Sequence, residues 1–160
     1  MKKPAPRNRT VARSRARLGA VQALYQMEIA ETDLSDILAE YGAGAIAQGI
    51  SEIESGVEDF TFFSEIVSGV VKEQRTIDPK INECLAKGWR LERLDSILRS
   101  ILRAGTYELS QRPDIPARVV INEYLNVSHA FFEGDEPKFV NGILDRLARE
   151  LRETEIVGQS

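Results

Sequence analysis

The residues in this sequence best suited to bind something are four arginines, Arg9, Arg13, Arg15 and Arg17, in the stretch RTVARSRAR. A guanidinium presents a planar fork that matches phosphate and can stack on a base. Residues 1–17 hold seven Lys or Arg and no acid, a local charge of +7; with a formal net charge of -4 for the chain, the other 143 residues sum to -11. Residues 18–71 contain no Lys or Arg and ten acids. That segregation argues against a basic coat over the whole surface and for one basic pole. A helix N-terminus disfavours cations, so the cluster breaks a local rule in the way binding sites do. For Lys2 to Arg7, with Pro4 and Pro6, a solvated tail explains the charge equally well. Arg13 and Arg17 fall at helical spacing on a stripe that becomes core, so the helix should hold them in register. Composition favours nucleic acid, with an acidic protein or a membrane surface as the alternatives, and a membrane anchor is disfavoured because no Trp, Phe or Leu interleaves the arginines.

Catalytic chemistry finds little support. His129 is the only histidine and Cys84 the only cysteine, which excludes a two-His zinc motif and an intramolecular disulfide. Each reads more simply as structural, His129 as a surface or packed helical residue and Cys84 as a buried, inert thiol. The glycines of residues 42–56 lack the Walker lysine and the dinucleotide spacing. No metal, cofactor or enzymatic activity is expected. Neither a signal peptide nor an apolar run of membrane-spanning length is present, so the expectation is a cytoplasmic protein.

The elements that must position the arginines are helices, since 3.6-residue periodicity recurs and strand alternation does not. The pattern predicts about seven. The first spans 13–29, with Val21, Leu24 and Tyr25 facing the core, behind a flexible basic arm over 1–12. Thr32 to Ser35 cap a short second helix to Tyr41, and residues 42–56 form a Gly-rich mobile loop. A third helix runs from Val57 to Arg75, and Asp78-Pro79 starts another that Gly88 stops. The strongest signal, within WRLERLDSILRSILRAGTYELSQR, aligns Leu94, Ile97, Leu98, Ile101, Leu102, Gly105 and Leu109. Pro116 opens a helix carrying Val119, Val120, Tyr124, Val127 and Phe131. Asn141-Gly142 is a hairpin signal, but Phe139, Ile143, Leu147 and Leu151 recur every four residues after Pro137, so a last helix is preferred, with Gly142 marking a close crossing. One domain over 13–155 is expected.

Three blocks, ARLGAVQALYQME (16–28), GWRLERLDSILRSILRAGTYEL (88–109) and VVINEYLNVSHAFFEGDEPKFVNGILDRLAREL (119–151), carry a resemblance. VINE followed by KFVNGILD is the most specific pair. In order and separation the blocks resemble the NusB family of bacterial transcription antitermination factors, over nearly all of 9–151 and most faintly from Ile29 to Glu65. The resemblance implies an all-α fold of two packed three-helix bundles and a non-enzymatic role. With NusE, a small-subunit ribosomal protein, such factors bind the single-stranded boxA element of nascent ribosomal RNA and join an antitermination complex on RNA polymerase.

By motif position, the resemblance implies RNA binding by Arg9, Arg13, Arg15 and Arg17, and by Lys138 and Phe139 in the KF that precedes VNG. Phe139 has two readings, a core residue or a ring on which a base stacks. Asp135 matches an acidic position bordering the RNA surface, and is equally placed to cap the last helix. Outward residues of 92–107, Glu92, Arg93, Arg99 and Arg103, are the candidates for NusE docking. The chain departs from its relatives in the MKKPAPRN extension, in alternating arginine with small residues, and in Glu136 where Ser is common. Two other roles stay open: a helical accessory domain acting in trans with an RNA-modifying methyltransferase, since related domains occur fused to such enzymes, and a homodimer.

Overall fold

Small residues line one face of the first helix, Ala12, Ala16, Ala20 and Ala23, all buried. Alanine has the best helix propensity and lets a neighbouring chain approach closely. In the computed structural model, which describes residues 6–47 and 53–153, they lie on α1 (Pro6–Ala30), followed by α2 (Leu34–Ala47) and α3 (Ile53–Cys84). A single 3-10 turn (Leu91–Arg93) precedes α4 (Ser96–Gln111), α5 (Ala117–Phe131) and α6 (Glu136–Leu151). The fold is all-α, with six α-helices and no strand among the described residues. No helix in that range is long and apolar enough to cross a membrane.

The chain divides into two compact units, one through Ser68 and one from Gly69 onward, with α3 contributing to both. In the first unit, Val21, Leu24, Ile37, Phe63, Ile66 and Val67 are buried. The Phe63 ring stacks on Tyr41 at 4.7 Å and on Phe60 at 5.8 Å, geometries that add to burial. Gly19 and Gly42 admit these rings: a Cβ at Gly19 would sit 3.4 Å from Phe63, and one at Gly42 3.3 Å from Phe60. Glu31, at φ 54, reverses the chain after α1. The carboxylate of Asp33 then accepts from the Asp36 N–H at 2.9 Å and from the Ser35 hydroxyl at 3.0 Å. Asp33, rather than Thr32 or Ser35, is therefore the cap of α2.

In the second unit, α4, α5 and α6 pack against one another around Leu98, Ile101, Leu102, Leu109, Val120, Tyr124, Leu144 and Leu147. Asp95 caps α4, accepting from Ile97 N–H at 2.8 Å and Leu98 N–H at 3.2 Å. The Tyr124 hydroxyl donates to Glu108, both groups fully buried. Arg152, also buried, donates to the carbonyls of Glu108, Leu109, Arg112 and Ile115, fastening the end of α6 over the C-terminus of α4. Those carbonyls belong to a helix end and the turn after it, where a guanidinium with five donors can serve several acceptors at once.

Several expectations need correction. Helix α1 starts at Pro6, so residues 6–12 of the expected arm, Arg9 included, are helical. α2 continues through Gly42 and Gly44 to Ala47, and α3 resumes at Ile53; residues 48–52 of the expected loop, residues 1–5 of the arm and residues 154 and 155 of the domain lie outside the described residues. The two helices expected at 57–75 and 78–87 are one, with Pro79 inside it, which lowers the count to six. Proline removes a backbone N–H there, but the carboxylate of the preceding Asp78 accepts from two guanidinium nitrogens of Arg103, Nε and Nη2, each at 2.9 Å, which ties this stretch of α3 to α4. Tyr25, Val71 and Val119 are exposed rather than core, and Phe139 and Leu151 are only half-buried. A Cβ on Gly142 would meet nothing within 4 Å, so no helix crosses there. The close approaches are at Gly69, where a Cβ would enter the Tyr107 ring, and at Gly105, where it would sit 2.9 Å from Leu144.

Candidate nucleic-acid interface

The basic head of α1 is held by an aromatic ring. The guanidinium carbons of Arg13 and Arg17 lie 5.1 and 5.0 Å from the centroid of Phe62, which is buried on α3. A cation over a desolvated ring gains about 2 kcal/mol, which offsets the unfavourable helix dipole. The two arginines differ in access. Arg17 is only 2 % exposed, while Arg13 is half-buried and Arg9 and Arg15 are exposed. Sequence spacing singles out Arg13 and Arg17 together as the residues held in register; the structure separates them, because the stripe shared with the core carries Arg17 under the surface and leaves Arg13 half-buried. The surface cations of this head are therefore Arg9, Arg15 and the outer part of Arg13.

In the second unit, Asp135, Lys138 and Phe139 come together at the start of α6. Asp135 occupies the N-cap position and its carbonyl accepts from Phe139 N–H at 3.2 Å, yet its side chain makes no capping hydrogen bond. Its carboxylate and the Lys138 ammonium are exposed, and the Phe139 ring is half-buried at the edge of the core formed by Val140, Ile143 and Leu147. Helix N-terminal amides, one lysine and one accessible ring edge are the parts of a phosphate-and-base contact.

The four candidates for partner docking separate. Glu92 and Arg93 are exposed. Arg99 is buried, and its Nη1 donates to the carbonyls of Leu91, Glu92 and Leu94 at 3.2, 3.2 and 2.8 Å. Burial, and then the charge of Arg103, lower its pKa. Arg103 is spent on Asp78. These two expected surface residues are thus internal braces, a correction with a simple cause: each finds acceptors on a segment that helical periodicity does not bring into view.

His129 is exposed in the last turn of α5. Cys84 is buried, and burial pushes its thiol above the ordinary value of 9.0. Among the described residues no group of three or more His, Cys, Asp or Glu is arranged to hold a metal ion.

Two helical units, with cations displayed at the head of one helix and an aromatic and a lysine at the head of another, define a class of all-α protein whose polar chemistry sits on helix termini. The model of the NusB family matches residues 14–149. The transcription antitermination protein NusB of Rhodopseudomonas palustris strain HaA2 is 48% identical over 157 residues, 97% of this chain and 93% of that protein. Its counterpart in Bartonella henselae is 50% identical over 140 residues, 88% of this chain and 89% of that protein. Among solved structures, NusB of T. maritima superimposes with a TM-score of 0.71 at 32% identity, covering 94% of each chain. The chain belongs to the NusB family of transcription antitermination proteins.

Proposed function

We propose that this protein is a non-enzymatic, cytoplasmic RNA-binding antitermination factor that, together with the ribosomal protein NusE, binds the single-stranded boxA element of nascent ribosomal RNA and joins the antitermination complex on RNA polymerase. The observation that carries this reading is the exposed cationic head of α1, Arg9, Arg13 and Arg15, anchored by Arg17 on Phe62. A cluster of exposed cations gains from a polyanion, whose condensed counter-ions are released on binding. Lys138, Phe139 and Asp135 make the second contact, the ring offering a stacking surface and the ammonium a phosphate partner. Glu92 and Arg93 contribute to the face that meets NusE.

The test is a titration of fluorescein-labelled boxA RNA with the full-length protein, with and without NusE. Binding that NusE strengthens, and that a scrambled RNA of equal length does not reproduce, is the expected result. Absence of RNA binding in both arms, or co-purification with a methyltransferase in place of NusE, contradicts it.

A further inference from the structure

Trp89, the only tryptophan of the chain, is 59 % exposed. Its exposure is not that of a loose loop. Trp89 N–H donates to the Ala86 carbonyl at 2.9 Å, Leu91 N–H donates to Asn82 Oδ1 at 2.8 Å, and Arg99 holds three carbonyls between Leu91 and Leu94. Leu91, two residues on, is buried. Gly88, at φ +91, supplies the left-handed turn that points the chain outward. A rigidly braced segment thus displays a large indole to solvent, leaving unrealised the burial that such a side chain ordinarily contributes.

Beside the indole lies an open cavity of about 510 Å3 whose rim carries Lys87, Arg90 and Arg93, with Glu83 as its carboxylate. The nearest ion pair, Arg90 to Glu92 at 3.8 Å, has both side chains mostly in water, so it exchanges readily for a better partner. Apolar lining is confined to Trp89, Leu85 and Ala86, and Leu85 is itself buried. A protein partner would need a contiguous apolar centre to its interface; a nucleotide needs one accessible aromatic face and cations at phosphate distance.

We propose that Trp89, with Lys87, Arg90 and Arg93, forms a nucleotide-stacking site for single-stranded RNA, a contact additional to the α1 head and to Lys138 and Phe139. The site rests on the RNA-binding reading above. A base stacks on the indole and the three cations take the flanking phosphates. Arg99 and Asn82 are positioning residues that hold the indole out.

Because the chain has one tryptophan, its emission reports this site alone. Saturating boxA RNA is expected to quench the Trp89 emission while the anisotropy of labelled RNA rises. Trp89→Ala is expected to weaken RNA binding about tenfold and Trp89→Phe by much less, as for loss and retention of one stacked base. Trp89 is mostly exposed, so both variants should keep the helical circular-dichroism spectrum of the parent. An anisotropy rise without quenching, or unchanged affinity in Trp89→Ala, overturns the site and leaves the RNA-binding reading standing. Quenching by NusE alone assigns the patch to protein docking and also overturns it. No anisotropy change with any RNA removes the RNA-binding reading and the site together.

Discussion

The guanidinium of Arg17 lies 5.0 Å from the centre of the Phe62 ring, with both side chains withdrawn from solvent. This contact divides the basic head into a buried anchor and a displayed surface. It predicts opposite phenotypes for two arginines one turn apart or less. Arg17→Ala should lower the unfolding free energy by about 2 kcal/mol, measured by urea denaturation, whereas Arg15→Ala should change it by less than about 0.5 kcal/mol while weakening RNA binding. Equal stability of the two variants would remove the distinction.

The bidentate grip of Arg103 on Asp78 closes the stretch of α3 that Pro79 interrupts. Both side chains are largely withdrawn from water, so Asp78→Ala should cost about 2 kcal/mol of stability. Arg103→Lys should recover little, because an ammonium cannot reproduce the two parallel bonds. Denaturant midpoints for the two variants check this; full retention of stability in Arg103→Lys would show the fork to be unnecessary.

Glycines in two helices should respond in opposite senses. Gly142 faces open space in α6, so Gly142→Ala should stabilise by up to about 1 kcal/mol through helix propensity. Gly69→Ala places a methyl group in the Tyr107 ring and should destabilise by about 2 kcal/mol through overpacking. Thermal midpoints that move in the same direction would contradict the packing described.

Hydrogen bonds from the Asp36 amide, and then from the Ser35 hydroxyl, hold the Asp33 carboxyl below its ordinary value of 3.8. A depressed carboxyl supports the α2 cap above the ordinary carboxylate range, and that support is lost as pH falls through the lowered value. The amide chemical shift of Asp36 should therefore titrate with a midpoint below 3.8; a midpoint at or above it would mean the cap does not form.

What the sequence made legible was the helical half of the problem. The stripes of α4, α5 and α6 are strongly periodic, and Leu98, Ile101, Leu102, Leu109, Val120, Tyr124, Ile143 and Leu147 are buried where that periodicity puts them. Periodicity failed where a distant group changed the outcome. Pro79 and Gly42 read as helix punctuation, but Arg103 grips the residue before Pro79 and the Phe60 ring packs close over Gly42, both from elsewhere in the chain. Arg17 and Arg99 are expected at binding surfaces, yet they are buried, one against a ring and the other against backbone carbonyls. Within the candidate site, residue type pointed to the arginine head and the family resemblance to Lys138 and Phe139, but which arginines reach solvent depended on Phe62, 45 residues beyond Arg17 in the chain.

The central claim is that the displayed arginines of α1 neutralise phosphates of a single strand while Arg17 does not. The direct measurement is the salt dependence of boxA RNA affinity for the parent and for Arg9→Ala/Arg15→Ala. The parent should show a log-log slope of about -0.7 per neutralised phosphate, and the double variant a slope shallower by about 1.4. An affinity indifferent to salt, or an identical slope for the two proteins, would contradict the account.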